Sequence, residues 1–239
     1  MNRRDPNMPV LVGIGVVQQR EEDWTRALEP LDLMVEAVRA AGEDCGAPGL
    51  LGAAELVSVP RGRWAYANPG RAIADAIGAA DAHSLLATVG VLQQTLVADA
   101  CQRIASGELG CAVVAGADAG YRLLRARLAG SRAGERATQG APDILLEPAA
   151  ELRHPAEHAV GFAMPVGLYA IIDSATRAKS GLDPDDHRDR LAERASRFSE
   201  IAAANPHAWD RRVREAGEIR ESGPRNPMQA FPYTRAHCS

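Results

Sequence analysis

Short unbroken apolar runs alternate along this chain with stretches in which apolar residues recur every three or four positions. The first rhythm marks buried strands and the second marks helices. Residues 10–16 (VLVGIGV), 55–60 (ELVSVP), 84–89 (SLLATV) and 111–117 (CAVVAGA) read as four buried strands. Leu31, Met34, Val35, Val38 and Ala41 predict a helix that Gly46 closes. Asn68 and Pro69 predict a cap and first position for a short helix carrying Ile73 and Ile77. Between the last two strands, Val91, Leu92, Leu96, Val97, Ala98, Ala100, Cys101, Ile104 and Ala105 fall on nearly every side of a helix. Asp99, Arg103, Thr95 and the glutamines alone interrupt them, so this helix is expected to be covered on more than one side. The order β-α-β-α-β-α-β predicts an α/β fold, a largely parallel sheet layered with helices.

After Gly116 the pattern changes. Residues 121–129 predict a basic helix, and residues 130–142 (GSRAGERATQGAP) a polar loop. A further region starts near Ile144. Pro165 opens a helix with Val166, Tyr169, Ile172 and Ala175 on one face and Gly181 as its stop. Asp183, Pro184, Asp185 and Asp186 form a strong helix start, and Leu191, Ala195, Phe198, Ile201 and Ala202 an apolar stripe ended by Asn205 and Pro206. The expected organisation is an α/β part over 8–120 and a helical region over 121–239.

Composition narrows the function classes. With 46% hydrophobic and 24% charged residues in 239, the chain has the apolar mass for a core. A net charge near −4 supplies no footprint for nucleic acid, and the arginines of 122–136, 188–197 and 211–225 are interleaved with acids or polar faces. The start, MNRRDPNMPV, carries two arginines but no long apolar segment follows, so neither a signal peptide nor a membrane span is expected. Cys45, Cys101, Cys111 and Cys238 lack paired spacing and read as reduced thiols of a cytoplasmic protein.

Candidate chemistry is sparse. Gly13 and Gly15 invite a dinucleotide reading, but no third glycine follows and no helix opens there. The string His154, Pro155, Ala156, Glu157, His158 matches an inverted zinc-protease motif, with Pro155 inside it and no third ligand evident, so no metal is expected. Cys101 lies inside a helix and Cys111 opens a strand, so both read as packing residues rather than activated nucleophiles.

The blocks VLVGIGVVQQ, PRGRWAYANPGRAIADAIGA, GVLQQTLVADACQRIASGELGCAVVAGAD, the long run from Gly161 to Trp209 and NPMQAFPYT resemble the thiolase superfamily, specifically its sterol-carrier-protein-X type. The resemblance implies the amino-terminal half of a thiolase-like layered fold, with a helical loop region covering an acyl-CoA site. It implies a coenzyme A thioester as substrate, no resident cofactor, and a role in lipid or sterol side-chain metabolism.

Two departures from the family shape the expectation. Thiolases carry a nucleophilic cysteine at the strand-to-helix turn, yet here the position falls on Ala87 or Thr88, and no cysteine lies between Cys45 and Cys101. The family's second, similarly folded half, with its catalytic His and second Cys, is expected to be absent, because the sequence stops at Ser239. A homodimer or a partner chain is then expected to supply it, or the sequence is a fragment. Three readings follow: an acyltransferase half; a cysteine-independent retro-aldol lyase on a β-hydroxyacyl-CoA, with Tyr169 and Tyr233 as candidate phenols; or a non-catalytic assembly subunit or truncated product. Substrate contact is expected at the turn of Thr88, Val89, Gly90, Val91 and Leu92, where N–H groups at a helix start face outward.

Overall fold

The structure is a computed structural model that describes residues 6–162 and 164–238. Arg3, Arg4, Ala163 and Ser239 lie outside the described residues. The chain forms two compact units, Met1–Leu152 and Arg153–Ser239.

The first unit is built on a parallel sheet of β1 (Leu56–Pro60), β2 (His83–Ala87), β3 (Ala112–Val114) and β4 (Ile144–Leu146), in the order β3-β1-β2-β4. Leu56 is in register with His83 on one side and Ala112 on the other, and Leu85 with Ile144. The two-residue alternation of strands splits the core. Val57, Val59 and Leu86 point into one cluster with Leu31, Met34 and Val38 of α1 (Pro30–Asp44) and Ile73 of α2 (Pro69–Ile77). Leu56, Leu85 and Ala87 point into a second cluster with Leu96 of α3 (Gln93–Ala105). The Asn68 side chain accepts from Arg71 N at 3.0 Å and caps α2, while Gly78 ends it in the left-handed conformation. α4 (Gly120–Leu128) follows β3.

Strand β4 lies beyond residue 120, where the hydrophobic pattern ends the α/β part, and it extends the sheet. Its placement rests on Asp143, whose carboxylate accepts from Ser84 N at 2.7 Å and Ser84 Oγ at 2.8 Å. A three-residue strand has too few alternating positions to register as a pattern.

Residues 10–16 correct the strand expectation. They take no regular secondary structure, and Leu11 and Val16 are 81% and 78% exposed. A Cβ on Gly15 would overlap Ala37 O, and one on Gly13 would overlap Ala41 O. The two glycines thus let this backbone lie directly on α1, and Ile14 N donates to Asp44 Oδ2 at 2.9 Å.

Helix α3 is covered on one side by this chain. Within it only Leu96 and Ala100 are buried, and the opposite face is open.

The second unit holds α5 (Pro155–Ala159), α6 (Pro165–Lys179), α7 (Pro184–Ala204), α8 (Ala216–Arg220) and the antiparallel pair β5 (Met228–Ala230) and β6 (Tyr233–Thr234). Asp183 caps α7 by accepting from Asp185 N at 2.8 Å. The expected apolar faces are not the buried ones here. In α6 only Ala170 is buried, while Tyr169 and Ile172 are exposed. In α7 the buried position is Ala192, with Phe198 and Ile201 exposed. The inward face of α7 is set by polar ties: Ser196 Oγ donates to Arg214 O at 2.8 Å, and Arg220 of α8 pairs with Asp185 at 3.0 Å and with Asp189. Among the described residues, no helix is long and apolar enough to cross a membrane.

Candidate functional site

The turn from β2 into α3 is assembled by backbone bonds. Ala87 ends β2 with its methyl 0% exposed and its carbonyl accepting from Arg61 N at 2.8 Å. Thr88 then donates twice to one oxygen: its amide to Leu146 O at 2.8 Å and its hydroxyl to the same atom at 3.3 Å. Val91 N donates to Thr88 O at 3.2 Å and closes the turn.

Gly90 carries the geometry. Its φ is +110°, a conformation that side chains rarely adopt. A Cβ there would lie 3.0 Å from Pro148 Cγ and 3.1 Å from Leu152 Cγ, so the segment after β4 is laid against the turn. Val89 and Leu92 stand at the rim, 62% and 69% exposed, and Val91 is half-buried against the second core cluster. Leu92 precedes α3 without a side-chain cap. Thr95 N donates to Leu92 O at 2.9 Å, so in the first turn of α3 the N–H groups of Gln93 and Gln94 are the ones open to an acceptor brought to this rim.

The structure brings the turn residues together as one surface. Ala87 is a buried methyl, and the Thr88 hydroxyl donates to a carbonyl. Pro148 and Leu152 are the residues that the sequence pattern missed. Their string, EPAAEL, carries no periodicity, and only the fold shows that they cover Gly90.

The other candidates serve local structure. His154 caps α5: its N–H donates to Glu157 Oε2 at 2.8 Å, and its Nδ1 accepts from Ala156 N at 3.2 Å. The string that resembles a zinc motif is thus a capping box. Burial, then Glu55 and Cys45, push the Cys111 thiol upward, away from the thiolate form. Cys45 Sγ donates to Gly42 O and accepts from Ala47 N.

Tyr169 is exposed, whereas Tyr233 is half-buried; burial and the nearby Asp173 carboxylate push its phenol upward. Asp173 also holds His187 Nε2 at 2.6 Å, a pairing across α6 and α7 that no sequence motif signals.

These elements define a thiolase-like α/β fold. The chain is similar to a monomeric SCP2-thiolase like protein type 1 from Mycobacterium smegmatis, with a TM-score of 0.66 and 25% identity over 97% of this chain. The match covers 43% of the solved chain, as one half of a thiolase fold does. No protein-family model and no curated protein matches the sequence.

Proposed function

We propose that this chain is a thiolase-like half that binds an acyl-CoA thioester at the turn of Thr88, Val89, Gly90, Val91 and Leu92 without forming a covalent acyl-enzyme. The observation that carries this reading is the turn itself. It follows the thiolase-like β2, yet Ala87 ends that strand with a buried methyl and Thr88 donates its hydroxyl to Leu146 O. A serviceable nucleophile needs an activating base within hydrogen-bond reach, and the atom in reach here is a carbonyl oxygen. The exposed side chains of Val89 and Leu92 suit an acyl chain, and the uncapped start of α3 suits the thioester oxygen.

Intact-mass spectrometry after incubation with acetyl-CoA and with octanoyl-CoA tests the covalent part. The expected spectrum is that of the unmodified 25.4 kDa chain. A stable acyl adduct on Thr88 would overturn the reading.

The assembly reading is favoured by a separate observation. The face of α3 opposite Leu96 and Ala100 is open, so a half of this kind is completed by further polypeptide. A retro-aldol lyase on a β-hydroxyacyl-CoA would draw its base from that completing polypeptide.

A further inference from the structure

Along the sequence of α7 acids and arginines alternate, but around the helix they separate. At about 100° per residue, with Pro184 at zero, Arg197, Arg190, Ile201, Arg194 and Phe198 fall in that order between about 220° and 320°. All five are exposed, Phe198 by 63% and Ile201 by 68%. Asp185, Asp186, Asp189, Glu193 and Glu200 fall between about 100° and 200°, and the buried Ala192 lies opposite Ile201. His187 shares the basic sector but is half-buried and committed to Asp173 at 2.6 Å.

The arginines of this sector are uncommitted. Arg188, turned inward, pairs with Asp185 at 3.3 Å and donates to Arg220 O at 3.1 Å. Arg190, Arg194 and Arg197 make no ion pair or hydrogen bond among the described residues. Even Glu193, at the helical pairing distance from Arg197, does not bind it. The Arg194 charge reaches the Tyr233 phenol through space.

We infer that this face of α7 rests on an anionic phospholipid surface, with the three arginines at lipid phosphates and Phe198 and Ile201 sunk between the headgroups. Guanidinium groups take phosphate oxygens in pairs. Apolar side chains standing among cations gain from a surface that is anionic outside and apolar beneath. The 21 residues of α7 make a convex rod about 30 Å long, which meets a plane along its length. Among the described residues no helix is long and apolar enough to cross a membrane, so the contact is with its surface. The chain's net charge near −4 opposes approach only within a Debye length, about 8 Å in physiological salt, and the acids of α7 fall to one side of the basic sector. The inference is independent of the acyl-CoA reading.

Co-sedimentation of the full chain with vesicles tests it. Vesicles of phosphatidylcholine and phosphatidylglycerol in equal parts are expected to carry the chain down, and phosphatidylcholine vesicles to leave it in solution. The Arg194→Glu, Arg197→Glu double variant is expected to bind the anionic vesicles about tenfold or more weakly, because each reversed charge turns attraction into repulsion. Phe198→Ser is expected to weaken binding about fivefold or more while keeping its dependence on salt. All three positions are exposed, so the circular dichroism of the variants should match that of the wild type.

A chain that stays in solution with the anionic vesicles overturns the inference, as does equal sedimentation with the neutral ones. Sedimentation indifferent to both variants overturns it for this face. Capture by poly-glutamate or by a DNA duplex, with no vesicle binding, overturns it too and gives the basic sector a soluble polyanion as partner.

Discussion

Thr88 donates both its amide and its hydroxyl to the carbonyl oxygen of Leu146, at 2.8 and 3.3 Å. That pair of bonds joins the end of β2 to the end of β4 and turns the one hydroxyl at the strand-to-helix turn into a structural donor. Thr88→Val keeps the amide bond and loses the other. The expected cost is about 0.5–1.5 kcal/mol in a denaturant titration, with acyl-CoA binding retained. Loss of binding with unchanged stability would give the hydroxyl a role at the thioester instead.

Restoring a thiol at the strand end is expected to fail for a packing reason. Ala87 is fully buried among Leu56, Leu85 and Leu96, so Ala87→Cys overfills the site by one sulfur and costs about 1–3 kcal/mol. No acyl adduct is expected from this variant on its own. A stable, readily acylated Ala87→Cys chain would show that the core at this point is looser than described.

Gly90 is constrained twice, by its φ of +110° and by Pro148 and Leu152 against its open side. Gly90→Ala is expected to destabilise the first unit by about 1–3 kcal/mol and to lift the 148–152 segment from the turn. Faster amide exchange over 148–152 checks the second effect.

Two titrations give pH dependences of one sign. The Ser84 amide and hydroxyl hold the Asp143 carboxyl below its ordinary value near 3.8. A carboxyl lowered by folding stabilises the native state above its unfolded pKa, and that contribution fades as pH falls through the folded value. Asp143→Ala should therefore melt below wild type at neutral pH, with the gap closing in acid.

His237 is lowered from 6.5 by burial and by Arg188, and its Nδ1 accepts from Thr234 N at 3.1 Å. Protonation removes that acceptor. The protection factor of the Thr234 amide, which corrects for the slower intrinsic exchange in acid, should fall as pH drops below about 6.5, the unfolded reference for His. A pH-independent protection factor there would contradict this.

Much of the sheet was legible because burial leaves a long record. The apolar runs at 55–60 and 84–89 coincide with β1 and β2, and Asn68 and Asp183 cap helices α2 and α7 as their residue types predict. The failures share one physical cause: hydrophobicity records which residues need cover, not whether this chain supplies it. Residues 10–16 carry apolar side chains that stay exposed, so pattern alone overstated their burial, while the outer face of α3 carries apolar side chains that this chain itself leaves open. β4 escaped notice because its position depends on the Asp143–Ser84 contact across 59 residues. The turn itself was located by resemblance, but its cover by Pro148 and Leu152 comes from tertiary contact that no local signal encodes.

The central claim is that the β2–α3 turn binds an acyl-CoA thioester. Isothermal titration of octanoyl-CoA into the wild-type chain and into Leu92→Asp tests it most directly. Leu92 is 69% exposed, so the substitution leaves the core intact while setting a carboxylate where the acyl chain would lie. Saturable binding to the wild type, weakened about tenfold or more by Leu92→Asp, is the predicted result. Equal heats for the two chains, or none for either, would contradict it.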